Sequence, residues 1–301
     1  MTTDFINTDS LNTDSIDTKA SLEPAGASFA TFLLRQAREQ GYAIAAFNAV
    51  NLETAQAIVR AAEEERAPVI LQISENAARY GGLKPLHAVA QTLKAAASVP
   101  VVLHYDHAEK LESALSAVKL GFGSVMLEGA DLTPQENVRQ LKALVEAAHL
   151  SGASVEGEFE IVSKDGREGA RLEPEQVRDL SAASGCDTVA VDIGSKHKMT
   201  EKSAHLDLAR LETLAKLVPQ PLVLHGSSGV PEEDLSAAVS LGIAKVNIAT
   251  ELMLTFTDSV RESLGNPDLH DPRKYLGAAR EAMQARAQAL IRLLGSADKA
   301  G

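Results

Sequence analysis

Residues 42–48 read YAIAAFN and are followed, at residues 52–66, by LETAQAIVRAAEEER. The first stretch is an apolar run of strand length. The second is rich in Ala, Leu and Glu, with apolar residues at helical spacing. Outward from this pair the same alternation repeats from Ser28 onward. Further strand-length runs lie at Pro68–Ser74, Val99–His107, Ser124–Glu128, Ser154–Glu160, Thr188–Gly194, Pro221–Gly226 and Lys245–Thr250. Between them lie helical stretches such as Glu109–Leu120, Pro134–Leu150 and Asp207–Val218. Pro134, Pro174 and Pro231 suit first helical turns, and Gly121, Gly152, Gly185 and Gly242 sit where helices should stop.

Continuous Val/Ile/Leu strands separated by helices indicate a parallel sheet covered on both faces. Eight such units predict an α/β fold, the (β/α)8 TIM barrel, with an extra C-terminal helix at Asp271–Leu294 that offers a surface to another subunit. A doubly wound open sheet is the rival, but no Gly-rich phosphate turn follows the first strand. The domain reading is a flexible N-terminal tail over residues 1–27, in which NTDS occurs twice, and a barrel domain over 28–301. The tail is too polar to order itself.

Composition narrows the partners. With a net charge of −12, no Trp and few aromatic residues, the chain is expected to bind neither nucleic acid nor a membrane. No apolar stretch approaches a membrane span, and the N-terminus lacks the form of a signal peptide. The single cysteine, Cys186, makes no internal disulfide and reads as a buried structural thiol, consistent with a cytoplasmic protein.

Three of the strand-length runs end on or just before a histidine: His107, His197 and His225. Barrel enzymes build their sites at the C-terminal ends of the strands. Polar residues fall there on nearly every strand: Asn48, Ser74, Asp106, Glu156, Glu158, Asn247 and Thr250, the last two read as lying on strand eight. A single strand-end histidine is commonly structural. Three on separate strands suit zinc, with a fourth position left for substrate. His104 stands at an odd offset from His107 and is expected to face the other way.

Over about Phe29–Met283 the chain resembles the class II, metal-dependent ketose-bisphosphate aldolases of the fructose-bisphosphate and tagatose-bisphosphate type. The resemblance is carried by AFNAVNLETAQAIVRAAEE, APVILQISENAARY, VPVVLHYDHAE, GFGSVMLEGADLTPQENV, GASVEGEFE, PLVLHGSSGVP, AKVNIATEL and DPRKYLGAAREAM. It implies a zinc-dependent aldolase that reversibly cleaves a ketose (bis)phosphate through a metal-stabilised enediolate. By resemblance, Asp106 is the proton-transfer acid/base, and His107, His197 and His225 are the zinc ligands. Glu158 approaches the metal or an alternative metal site, and Asn247 contacts the enediolate. Asn48, Ser74, Gly226, Ser228 and Thr250 match substrate-cleft positions. A basic residue of the C-terminal region, which carries Arg273 and Arg280, helps with the distal phosphate in the family, and Arg280 is the candidate here. A monovalent cation (Na+ or K+) near the phosphate loop and a homodimer or homotetramer are further implications.

The chain also departs from the family pattern. HGGSG reads HGSSG, so Ser227 replaces a glycine of the substrate phosphate cradle, and its side chain is expected to crowd that pocket. Lys198 replaces the glycine after His197, and KMTEK stands where GxYKG is usual. The loop after strand five reads IVSKDGREGAR, with Gly166 at the ungapped position of the family's glutamate and Asp165 and Glu168 as nearby acids. NIATEL resembles the tagatose-type branch. Two alternatives follow: an aldolase of the same mechanism with an altered, non-bisphosphate ketose substrate, and a non-catalytic metal- or sugar-phosphate-binding barrel.

Overall fold

The eight expected strands are present, all parallel, pairing in chain order until the eighth closes on the first. The structure is a computed structural model, and it describes residues 28–129, 132–160, 171–197 and 199–301. The expected tail at residues 1–27, Lys198 and the acids of the loop at 161–170 lie outside the described residues. The chain runs α1 (Phe29–Gln40), β1 (Ile44–Asn48), α2 (Leu52–Glu64), β2 (Val69–Ser74), α3 (Glu75–Gly81), α4 (Leu83–Ala96), β3 (Val101–Ala108), α5 (Leu111–Leu120) and β4 (Ser124–Leu127). It continues with α6 (Pro134–His149), β5 (Ser154–Glu158), α7 (Pro174–Ser184), β6 (Thr188–Ala190), α8 (Leu208–Leu217), β7 (Leu222–Leu224), α9 (Glu232–Ser240), β8 (Ile243–Ile248), α10 (Thr250–Ser263) and α11 (Pro272–Leu293).

The strands are buried on both faces, as their apolar runs require. Ala45, Phe47, Leu71, Ile73, Leu103 and Tyr105 join the layer between sheet and helices. Their neighbours Ile44, Ala46, Ile70 and Val102 face the lumen and pack on Ala30, Leu33, Leu34 and Ala37 of α1. Helix α1 therefore plugs the bottom of the barrel. Arg38 pins it there by donating to the carbonyls of Val218, Pro219 and Gln220 at 2.6–3.0 Å, and to that of Ala215. Above this apolar floor the lumen turns polar, with Gln72, His104, Glu156 and Lys245 all at most 1% exposed.

The long C-terminal helix forms as expected. Asp271 caps it, and its apolar stripe (Ala279, Met283, Ala287, Leu290, Ile291) is buried within this chain, where α11 packs on α10 and α2. No helix among the described residues is long and apolar enough to cross a membrane. Cys186 is buried, and burial pushes its thiol up to about 12. A thiolate reagent at neutral pH should leave the folded protein unlabelled and label it only on unfolding. Rapid labelling of the native protein would contradict that environment.

Two placements correct the sequence reading. Thr250 opens α10 and does not lie on strand eight, which ends at Ile248. His104 does not face away from the site. His104 and Asp106, two residues apart, both point into the lumen as the pleat demands. It is His107 that breaks the alternation. Its φ of 57° lies in the left-handed region, and the β3–β4 register shifts between Tyr105 and Ala108. This bulge turns His107 back to the same mouth as Asp106.

Candidate active site

The three strand-end histidines converge. Ligand atoms of His107, His197 and His225 all lie within 4.8 Å of one another. Their rings stand nearly edge to face, with centroids 5.0–5.8 Å apart. Three elements deliver them: the bulge at the end of β3, the loop after β6 and the residue that follows β7.

The surroundings decide which nitrogens face inward. Glu156 Oε1 lies 2.7 Å from His225 Nε2, and Lys245 Nζ donates to Glu156 Oε2 at 2.7 Å. With Lys245 beside it, Glu156 is held well below the usual carboxylate range although burial opposes this. An ionised Glu156 accepts the Nε2 proton, so His225 Nδ1 carries the free lone pair. That atom is buried and has no hydrogen-bond partner among the described residues. A Glu128 carboxylate oxygen also lies 2.6 Å from His107 Nδ1, a charge contact without hydrogen-bond geometry. Carboxylates that fix the tautomer of ligating histidines are a recurring feature of zinc sites. The orphaned His225 Nδ1, the three-imidazole set and this carboxylate support together fit a zinc ion with an open fourth position.

Charge points the same way. Burial alone would hold His107 neutral, but Asp106, Glu128 and Glu158 raise its pKa to about 9. Surroundings that favour a positive charge so strongly also suit a divalent cation. Glu158 lies buried on β5 and contributes to this field, but it stands outside the three-histidine group. Asp106 is 2% exposed. Burial would raise its pKa, yet the neighbouring histidines, His107 first, bring it down to about 2. Asn48 Nδ2 donates to Asp106 Oδ2 at 2.8 Å, and Gln72 in turn donates to Asn48 Oδ1. Asp106 Oδ1 has no hydrogen-bond partner among the described residues and lies 3.7 Å from His107 Nε2. An ionised carboxylate with one uncommitted oxygen at the cleft is chemically suited to take a proton from a hydroxyl group brought beside it.

One cleft gathers most of the sequence-derived candidates: Asn48, Ser74, Asp106, His107, His197, Gly226, Ser227, Ser228, Asn247 and Thr250 all line it. Arg280 is not among the lining residues and donates to Gln56 on α2 at 3.0 Å. Ser227 does not crowd the cleft as its replacement of glycine had suggested. It is 1% exposed, and its hydroxyl donates to the Asn247 carbonyl at 2.5 Å. Gly226 is required where it stands, with φ of 63° and Lys196 backbone only 2.7 Å from where a Cβ would sit. Gly226→Ala should cost roughly 1–3 kcal/mol in backbone strain alone and displace the segment carrying His197. Unchanged thermal stability and zinc affinity in that variant would contradict the close approach.

Sequence reasoning missed the support beneath the metal site. Lys245 sits in IAKVNI, a strand buried on both faces, and a lysine there needs a paired carboxylate. Glu156, two residues before Glu158 on the same strand face, was the signal for that partner. Glu75, Asn76 and Glu109, which also line the cleft, follow strand ends and were legible only as loop polar residues.

A closed parallel barrel whose C-terminal mouth holds three histidines around one point, with an ionised aspartate beside them, has the donor set of a metal-dependent barrel enzyme. Comparison with known proteins gives the family. The model of the class-II fructose-bisphosphate aldolase family matches residues 30–299. The fructose-bisphosphate aldolase of Thermus caldophilus is 42% identical, over 89% of this chain and 98% of that protein. The D-tagatose-1,6-bisphosphate aldolase subunit GatY of Klebsiella oxytoca is 36% identical, over 87% and 95%. The crystal structure of the YdjI aldolase from Escherichia coli K12 superimposes with a TM-score of 0.80 at 31% identity, covering 90% of this chain and 98% of that one. The chain belongs to the class II fructose-bisphosphate aldolase family, an aldehyde-lyase family acting on sugar phosphates. Zinc dependence is a property of that family.

Proposed function

We propose that this enzyme cleaves a ketose 1-phosphate between C3 and C4, releasing dihydroxyacetone phosphate and an aldehyde, and runs the condensation in reverse. The observation that carries this reading is the ionised, partly uncommitted Asp106 carboxylate placed against the three-histidine cluster. His107, His197 and His225 would hold the zinc ion. Bound there, zinc supplies Lewis-acid stabilisation of the negative charge that collects on the donor half.

The remaining work falls to side chains. Asp106, oriented by Asn48, takes the proton from the C4 hydroxyl. The C3–C4 electron pair stays with the donor half as the C4–O bond becomes a carbonyl, and a proton returned to C3 of the donor half completes dihydroxyacetone phosphate. Asn247 Nδ2 lies 3.1 Å from His225 Nε2, whose own proton is directed to Glu156. That amide therefore finds no acceptor in the ring and is available to donate to the developing oxyanion. The backbone around Gly226, with Ser227, Ser228 and Thr250, forms the cradle for the 1-phosphate, and a monovalent cation beside this loop belongs to the same reading. Glu158 serves as an accessory carboxylate next to His107. Lys198 adds positive charge to the cradle. The chain acts as a homodimer or homotetramer in the cytoplasm, where a reduced Cys186 is at home.

The test is release of dihydroxyacetone phosphate from a panel of ketose 1-phosphates and 1,6-bisphosphates of fructo and tagato configuration. Turnover of at least one, at rates normal for enzymes (roughly 1 s⁻¹ or more), is expected with zinc present. No release from any of them would overturn the reading.

A further inference from the structure

The three histidines are not held alike. His107 lies within β3 and His225 directly follows β7, so sheet pairing carries both. His197 is different. β6 ends at Ala190, and the chain reaches His197 through a segment that belongs to no strand or helix. Such a segment needs other anchors if its histidine is to meet the other two within 4.8 Å.

The anchors converge on a buried pair, Glu160 just past β5 and Arg210 in the first turn of α8. Their side chains are 1% and 11% exposed, and Arg210 Nη2 donates to Glu160 Oε1 at 2.6 Å. Both grip the backbone of Asp192. Its N–H donates to Glu160 Oε2 at 3.4 Å, and its carbonyl accepts from Arg210 Nε at 3.0 Å. The Asp192 carboxylate carries the hold onward by accepting the Gly194 N–H at 2.9 Å and Arg171 Nε at 3.2 Å. Asp207, which caps α8, donates its N–H to the Ile193 carbonyl at 2.8 Å. The pair also holds Leu172, whose N–H goes to Glu160 Oε1 and whose carbonyl accepts from Arg210 Nη2, each at 2.9 Å. Glu160, Asp192 and Arg210 are not among the residues that line the cleft. Stability alone does not call for two buried charges, since apolar side chains of similar volume commonly serve as well.

We propose that Arg210, paired with Glu160, is a positioning residue for the metal centre: it fixes the segment that presents His197 and so sets how tightly zinc is held. This rests on the zinc site of the aldolase reading above. Arg210 touches neither substrate nor metal. It acts through the Asp192 backbone and thence through His197.

The experiment measures zinc affinity of the full chain by competition against a chromogenic chelator, with no substrate present. Arg210→Lys keeps a charge beside Glu160 but loses the planar fork that reaches Glu160, Asp192 and Leu172 at once. Zinc affinity should fall about tenfold, the lower end of what is common when groups behind metal ligands are disturbed. In a His197→Ala background the same substitution should leave the weaker residual affinity unchanged, because the residue through which Arg210 acts is gone. Glu160→Leu combined with Arg210→Met strands no buried charge. It should repeat both results, and it carries the test if Arg210→Lys does not fold. Unaltered affinity, or an equal loss with and without His197, would overturn the positioning role and leave the aldolase reading standing. A parent protein that binds no zinc would overturn both.

Discussion

Asp106→Asn is expected to lower kcat by about 10²–10⁴-fold, the range for losing a positioned general acid/base. The substitution keeps a side-chain oxygen that can accept from Asn48 Nδ2, which now bonds Asp106 Oδ2. The cleft should keep its shape, and KM should change far less than kcat. Zinc content should be that of the parent, because Asp106 lies beside the three ligands and is not one of them. Steady-state kinetics and metal analysis on the same preparation check this. A variant with near-parental turnover would contradict the acid/base role of Asp106, whereas a parent without turnover would return the barrel to the binding-protein alternative. Asp106 has a pKa of about 2, so its protonation should not limit activity anywhere near neutral pH.

The second large effect is structural and lies beneath the metal. Lys245→Met should destabilise the fold by about 3–5 kcal/mol, the cost of leaving a buried ion pair half broken. Lys245 and Glu156 are each 1% exposed, so water cannot replace the lost partner. The stranded Glu156 would also be driven toward its neutral form and would hold the His225 Nε2 proton less firmly. Zinc affinity should then fall about 10- to 100-fold, as is common when the carboxylate behind a ligating histidine is disturbed. Denaturant unfolding and competition against a chelator read the two effects separately. The double variant Lys245→Met with Glu156→Met separates them further. It removes both buried charges, so stability should partly recover while zinc affinity stays low. Because Glu156 is held well below its ordinary 4.5, the pair's contribution is fully present above about pH 4.5. It fades only as the pH falls through the lower folded value.

The barrel was legible because each strand is buried on both faces and writes a continuous apolar run, so eight runs could be counted. The bottom plug was less so, since α1 joins no strand repeat. Its apolar residues Leu33, Leu34 and Ala37 declare burial but not what they bury against. The three histidines were legible as strand-end residues. The rule that placed them also misjudged His104, because a period of two assumes an unbroken pleat. The left-handed φ of 57° at His107 has no mark in VVLHYDH, where a glycine would have announced it. Ser227 taught the opposite lesson. A side chain in place of a family glycine suggested a crowded cradle, yet its hydroxyl is absorbed by the Asn247 carbonyl. Whether an added group fills a site or ties down its wall depends on χ1 and on what lies within reach, and neither is written in the local sequence. The Lys245–Glu156–His225 chain joins three strands and spans positions far apart in sequence, so only the closed barrel brings it together.

On the proposed function, one zinc ion held by His107, His197 and His225 makes the Asp106 cleft an aldolase. Titrating metal-free protein with zinc, while following bound metal and release of dihydroxyacetone phosphate from a ketose 1-phosphate, tests it most directly. Activity should rise in step with tight binding and stop rising at one zinc per chain. Replacing His225 by Ala should abolish both together. Activity at full level in the metal-free protein, or tight zinc binding that survives His225→Ala, would contradict it.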